Sequence, residues 1–212
     1  MAVVMEIKEV DLAPPEGANL IFGQAHFIKT VEDLAEVLAG SMPGIEFAVA
    51  FAESSGKREL RFDGNDPQLI ERACSDLMKI GAGHSFLIYM RKAFPINVLN
   101  DVKAVPEVAG IYCATANPVK VFLAVDGEAI GVLGVADGLR PQRLEDQEEK
   151  RERKELLRKL GYKRGRGFGS AGTWPPVRFA FGLRQFIKAQ GDKTAWQPTS
   201  KRMADPFMPW AG

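Results

Sequence analysis

Thiol and imidazole are scarce in this chain, which has two cysteines and two histidines among 212 residues. Cys74 and Cys113 alone cannot build a disulfide framework, and no Cys/His spacing of the zinc type is present. Both are expected as small buried hydrophobes. No apolar run approaches the roughly 18 residues that a transmembrane helix needs. The opening Met1-Ala2-Val3-Val4-Met5-Glu6 has no basic segment ahead of an apolar one, so it does not read as a signal peptide. The expectation is a cytoplasmic protein with no membrane partner. An excess of one charge is also missing, since 28 Lys and Arg face 27 Asp and Glu. Nucleic acid is therefore not an expected partner. The common phosphate and hydrolase motifs are absent as well: no G-x-x-x-x-G-K-[ST], no G-x-S-x-G, no H-E-x-x-H and no kinase H-R-D set. Gly167, Gly169 and Gly172 fit a dinucleotide fingerprint only formally. No strand precedes them, and Thr173-Trp174-Pro175-Pro176 cannot continue as a helix.

What is present is an ordinary globular mixture, 46% apolar and 26% charged. Its charge is unevenly placed. From Arg164 onward eight Lys and Arg stand against two Asp, a local charge of +6, so the first 163 residues carry −5. All three tryptophans fall in the same last stretch. These shifts predict a boundary, with a folded domain over 1–163 and a basic, irregular Gly/Pro/Trp-containing extension over 164–212.

Within the first part the patterning predicts an α/β domain of the mixed α+β kind, a single mixed sheet covered by helices. Residues 5–10 alternate as a half-buried strand should, and 19–28 form a second apolar stretch. Thr30 is placed to cap a helix whose inward face is Val31, Leu34, Val37 and Leu38. Residues 45–52 and 59–62 read as a hairpin turning at Gly56. Asp66-Pro67 opens a helix with a cap and a first-position proline, and Gly81 is placed to end it left-handed. The unbroken apolar run 86–90 predicts a central strand covered on both faces. A short helix over 95–103, with Ile96, Val98, Leu99 and Val102 inward, precedes strands over 110–115, 119–125 and 131–136. Asp126-Gly127 is a hairpin turn. A charged helix over 145–159 closes the domain, with acid leading, base trailing and Glu149 four residues before Arg153. In the extension, residues 177–189 have the pattern of a short amphipathic helix.

Chemistry can be sought at His84 first. It lies between a glycine-ended helix and a buried strand, and Gly81 and Gly83 leave the backbone approachable. A histidine there can act as base, proton donor or phosphate carrier. The alternative, a hydrogen-bonded structural histidine, is the commoner use of the residue. His26 precedes a helix N-terminus, with Lys29 near enough to meet a phosphate; a buried strand histidine is its alternative. Asn97 and Asn100 share a helix face, while Asn117 before Pro118 and the helix cap Asp66 have ordinary turn and cap roles open to them.

Several segments together resemble the adenosine-specific kinase family of archaea and bacteria. They are the stretch from Phe22-Gly23-Gln24-Ala25-His26 to Leu34, Gly64-Asn65-Asp66, Gly81-Ala82-Gly83-His84-Ser85-Phe86, Phe94-Pro95-Ile96-Asn97-Val98-Leu99-Asn100, Cys113-Ala114-Thr115-Ala116-Asn117-Pro118 and Gly131-Val132-Leu133-Gly134-Val135. They occur in the family's order, over about residues 5–163. The resemblance implies a small α/β fold, a phosphotransferase that binds adenosine, AMP or ATP, and assembly as a homo-oligomer. It also implies a phosphate-carrying histidine, assigned to His84 with His26 as the alternate. Lys29, Gly83, Ser85, Asn97, Asn100 and Asn117 are the expected nucleotide-binding residues. ATP is the expected cosubstrate with Mg2+, for which Asp137 or Asp66 could be a ligand. A nucleotide-binding sensor without turnover, or an oligomeric module, is the alternative function.

Overall fold

A computed structural model describes residues 5–163. The expectations for 164–212, the amphipathic helix over 177–189 among them, lie outside the described residues. The chain divides into two compact units, one ending at Gln142 and one starting at Arg143.

In the first unit the elements run β1 (Glu6–Leu12), β2 (Asn19–Ala25), α1 (Thr30–Ser41), β3 (Glu46–Ala52), β4 (Leu60–Gly64), α2 (Pro67–Ile80), β5 (Ser85–Arg91), α3 (Pro95–Ala104), β6 (Val108–Thr115), β7 (Val119–Asp126) and β8 (Ala129–Asp137). The mixed α/β class read from the sequence holds, but the strands divide between two sheets. One has five strands in the order β4-β3-β5-β2-β6, the other three in the order β1-β7-β8. Every strand pair is antiparallel.

Periodicity explains the layers. Along β5, Phe86, Ile88 and Met90 point to one apolar cluster, with Val31, Leu34 and Leu38 of α1 and Val98 and Val102 of α3. Leu87 and Tyr89 point to the other, with Leu69, Ala73 and Leu77 of α2 and Leu12, Val119, Val121 and Leu123 of the smaller sheet. The apolar run is unbroken because both faces are covered, and alternate residues serve alternate faces. The two sheets follow from the same rule. On β7 only Val119, Val121 and Leu123 are buried, so this strand has one apolar face and lies over the larger sheet rather than within it.

Local signals place most boundaries. Asp66 accepts the Gln68 and Leu69 amides at the start of α2, and Gly81 ends it at φ +65°. Gly56 and Gly127 take positive φ at the two expected turns. Ile96 departs from the expected inward face of α3 and is exposed, while Val98, Val102 and the partly buried Leu99 meet the core. Among the described residues no helix is long and apolar enough to cross a membrane.

The second unit is described by α4 (Gln147–Lys159) and its flanks. Asp146 and Glu149 form a capping box. Glu149 pairs with Arg143 and Arg153 with Glu145, 2.5 and 2.6 Å. The Glu149–Arg153 pair expected from the spacing is thus replaced, because the cap draws Glu149 back toward the N-terminus.

Cys113 is buried and Cys74 half-buried. Burial, helped by the Asp137 charge, pushes the Cys113 thiol up to about 12. The folded state therefore favours the neutral thiol, while the unfolded chain releases that proton from about pH 9. Stability is whole below pH 9 and is lost as pH rises toward 12. Urea midpoints taken across this window are expected to fall, and to fall less in Cys113→Ala.

Candidate functional site

One end of the five-stranded sheet gathers the histidine segments. β2 and β3 finish there, and β5 begins between them. α2 stops at Gly81, whose amide donates to the Leu77 carbonyl at 3.0 Å. The Ser85 hydroxyl donates to the Ala82 carbonyl at 2.5 Å, so this expected ligand group instead closes the turn. Gly83 also has a packing role, since a Cβ there would lie 2.7 Å from Ser54 Oγ.

His84 is held by its own backbone. Its amide donates to the Ala52 carbonyl and its carbonyl accepts from the Ala25 amide, both at 2.8 Å. Its φ is +61°, a conformation uncommon outside glycine and costly unless the surroundings impose it. The ladder bonds to β3 and β2 impose it here. The side chain is half-buried and stacks on Phe51, ring centroids 6.3 Å apart and planes 12° apart. Among the described residues no group hydrogen-bonds the ring. The imidazole is thus oriented by its backbone and by packing.

His26 lies on the same rim, its amide donating to the Glu107 carbonyl at 3.0 Å. Its side chain is exposed, unlike the buried strand histidine weighed from sequence. Phe27 follows with φ +76°. Thr30 does not cap α1 as its position suggests. It is the first helical residue, after Lys29 as N-cap, and its hydroxyl donates back to the Phe27 and His26 carbonyls at 2.6 and 3.0 Å. Lys29 stands between two carboxylates, 2.6 Å from Asp33 and 2.6 Å from Glu107. The bond to Asp33, then that to Glu107, holds its ammonium well above the usual lysine range. Two of its three ammonium protons are thereby committed, and its charge is balanced before any phosphate arrives.

Glu107 could not be singled out from the sequence, because only the fold brings it under Lys29. Its side chain is 5% exposed, and its second oxygen, Oε2, is buried with no partner. A buried carboxylate satisfied on one side only contributes little net stability. Glu107→Gln is expected to leave the urea midpoint unchanged or raised. A loss above about 3 kcal/mol would show instead that the ion pair is a structural anchor.

The remaining expected ligands lie elsewhere. Asn97 accepts the Phe94 amide at 2.9 Å and caps α3, which follows the far end of β5; Asn100 is exposed one turn on. Asn117 donates to Asp137 at 3.1 Å, beside Thr115, whose partner Leu20 also lies toward that end. A seven-residue strand separates these positions from His84 by about 20 Å. Asp66 is also at the far end, its carboxylate engaged by two amides and by Arg91 at 3.1 Å. Among the described residues no group of three His, Cys, Asp or Glu could hold a metal ion. Asp66 is thus fully engaged, whereas Asp137 is exposed with Oδ1 on Asn117.

Arg61 is a second residue that sequence reasoning missed. On β4 it faces Phe51 of β3 in register, and Phe51 carries the His84 stack. On its other side Phe51 faces Phe86 of β5, so His84, two residues earlier, lies outside that register and meets Phe51 only through its ring. Glu59 and Glu53 hold the terminal nitrogens of Arg61 at 3.0 and 3.3 Å, and its Nε is buried without an acceptor. Beside it a cleft of about 300 Å³ opens between the start of α1 and β4. A larger cleft of about 600 Å³ runs between α1 and α3. Its polar lining includes Asp33, Glu36 and Asp101 with no basic side chain, so its field repels phosphate.

Comparison with known proteins gives a consistent result. A family profile described as adenosine specific kinase matches residues 10–163. The PH1918 protein from Pyrococcus horikoshii OT3, known as a crystal structure, is 44% identical. The match has a TM-score of 0.73 and covers 76% of this chain and 100% of that one. No curated protein matches the chain.

Proposed function

The chain belongs to the adenosine-specific kinase family, and from that premise we propose that it is an ATP-dependent phosphotransferase acting on adenosine, with His84 carrying the phosphoryl group in transit. One observation supports this reading above the others. The His84 ring is fixed by its backbone and by Phe51, yet nothing in the described chain occupies its nitrogens. A half-buried ring without a protein partner keeps its nitrogens for a ligand or for water.

ATP is the phosphoryl donor, and Mg2+ on its phosphates would offset their charge. An imidazole nitrogen of His84 attacks the γ-phosphorus, the bond to the β-phosphate oxygen breaks, ADP leaves, and the ring N–H proton passes to solvent. The 5′-hydroxyl oxygen of adenosine then attacks the same phosphorus. The N–P bond breaks and its electron pair returns to the imidazole, the hydroxyl proton goes to solvent or to the freed ring, and AMP is released. Dividing the transfer this way replaces one difficult step with two easier ones. What the protein contributes is positioning and charge stabilisation.

The test uses ATP labelled at the γ-phosphate, with and without adenosine. Label on the protein that is acid-labile and alkali-stable, as a P–N bond is, and that moves to AMP when adenosine is added, supports the proposal. Adenosine binding with no labelled AMP would leave a nucleotide-binding module without turnover. Assembly of like chains, implied by the family resemblance, is read by sedimentation of the full chain.

A further inference from the structure

The buried carboxylate of Glu107 carries a more specific assignment, one that rests on the adenosine reading above. Its Oε1 lies 2.6 Å from the ammonium of Lys29, the N-cap of α1. Its Oε2 is buried with no partner among the described residues. An ionised carboxylate accepts at both oxygens, and a buried acceptor left empty is costly. Such an atom points to a donor that the described chain does not itself supply. Hydrogen bonding places it relative to His84. The Ala25 amide of β2 donates to the His84 carbonyl at 2.8 Å, and the next amide, that of His26, donates to the Glu107 carbonyl at 3.0 Å. Consecutive amides of an extended chain point to opposite sides. His84 and Glu107 therefore flank the end of β2, two strand spacings or about 10 Å apart. Both side chains lie on the sheet face that α1 covers. His84 stacks on Phe51, which packs with Val31 and Leu34, and Glu107 meets Lys29 beside Asp33 of α1. Between them, on that face, β2 presents only the methyl group of Ala25.

We propose that Glu107 receives the ribose hydroxyls of the nucleoside, so that adenosine lies across the end of β2 with its 5′ end at His84. Charge decides which end of the substrate goes where. Lys29 brings one positive charge, and Asp33 and Glu107 bring two negative ones, so the cluster is net −1. It repels a phosphate and attracts the O–H of a neutral sugar. The phosphorus is left to the histidine. The 2′- and 3′-hydroxyls are neighbouring donors that one carboxylate can take together, and an acidic side chain serves ribose in this way in dinucleotide-binding folds. The span is also suitable. A ribose with its 5′ oxygen is shorter than the gap of about 10 Å between the two backbones, and the glutamate and imidazole side chains close the remainder. Oε2 is shielded in the structure. The hydroxyls reach it when the carboxylate turns about its own side-chain bonds, with half-exposed Lys29 following. Asp33 keeps the Lys29 charge partnered during that turn.

Equilibrium binding of adenosine and of 2′,3′-dideoxyadenosine to the full chain tests the assignment, in the wild type and in Glu107→Gln. The wild type is expected to bind adenosine at least about tenfold more tightly than the dideoxy analogue, the worth of hydrogen bonds to a charged group. Glu107→Gln is expected to lose most of that preference. It should weaken adenosine about tenfold and leave the dideoxy analogue within about twofold of the wild type. A residue that merely holds the fold would weaken both ligands alike, and that result overturns the proposal. Equal binding of the two nucleosides by the wild type, or a preference retained in Glu107→Gln, also overturns it, and the adenosine reading then survives. Wild-type protein that binds no adenosine sinks both. Glu107→Asp keeps the charge and draws the oxygens back by one methylene. It carries the same comparison if Glu107→Gln does not fold, and its preference is expected to fall in the same direction.

Discussion

Replacing His84 with asparagine is expected to abolish incorporation of phosphate from ATP while leaving the fold intact. The choice of residue matters. At φ +61° most side chains pay a steric penalty of roughly 1–2 kcal/mol, whereas asparagine is among the few that visit the left-handed region readily. His84→Ala would confuse lost chemistry with backbone strain. His84→Asn keeps the amide to Ala52 and the carbonyl to Ala25, which lock the turn, and removes only the imidazole. Label on the protein should fall at least a hundredfold, at the low end of what removing a positioned reacting group costs. The thermal midpoint should stay within the range of an ordinary half-buried substitution, about 1 kcal/mol. His26→Asn is the companion, and full label in that variant would assign the phosphate to His84. Label that persists in His84→Asn and vanishes in His26→Asn would reverse the assignment, and label that persists in both would remove histidine from the reaction. Ser85, the neighbouring hydroxyl, is separable chemically because a phosphoserine survives acid.

The parts of this site that could be read from sequence are those governed by local rules. Gly81 ends α2 because a helix needs a left-handed residue there. The run from Phe86 is apolar because β5 is covered on both faces, and together these place His84 at a strand end. What could not be read depends on partners distant in the chain. Lys29 looks like a free cation beside His26. Only the approach of the segment after Pro106 shows that Glu107 already neutralises it. Asn97 and Asn100 look like a ligand pair, but β5 carries the chain to the far end of the sheet before α3 begins. Arg61 sits in an unremarkable hairpin strand and becomes interesting only through its register with Phe51. The second sheet was hidden for a similar reason, because alternation predicts strands and their inward faces but does not choose which sheet a hairpin joins.

Asp76→Ala is expected to be the most destabilising single change in the domain. The helical stripe of α2 includes this residue among Leu69, Ala73, Leu77 and Ile80, all buried, and its side chain is fully inaccessible. One oxygen accepts from Arg72 Nε at 2.6 Å and from the Tyr89 hydroxyl at 2.8 Å, and the other accepts from Lys79 at 2.7 Å. Arg72 also reaches the Ala13 carbonyl at 3.0 Å, so the same carboxylate indirectly fixes the β1–β2 connection. Removing it leaves a buried phenol without an acceptor and two cations without their counter-charge. Breaking such a pair from one side costs about 3–5 kcal/mol, or a fall of roughly 10 °C or more in the thermal midpoint for a domain of this size. The two cations are partly exposed, so much of that loss should come from the orphaned Tyr89 hydroxyl. Tyr89→Phe placed on Asp76→Ala should therefore recover part of it, as removing both partners costs less than removing one. Alkali gives an independent reading of the network. Burial, and then the neighbouring Asp76 charge, raises the Tyr89 phenol above its ordinary value of 10. The unfolded chain loses that proton first, so this contribution is present below pH 10 and is lost as pH rises beyond it. In Tyr89→Phe the alkaline limb of the stability profile should flatten. An Asp76→Ala protein that unfolds within about 1 kcal/mol of the wild type would mean that water or a rearranged Arg72 satisfies the phenol, and that the network does not hold α2 to β5.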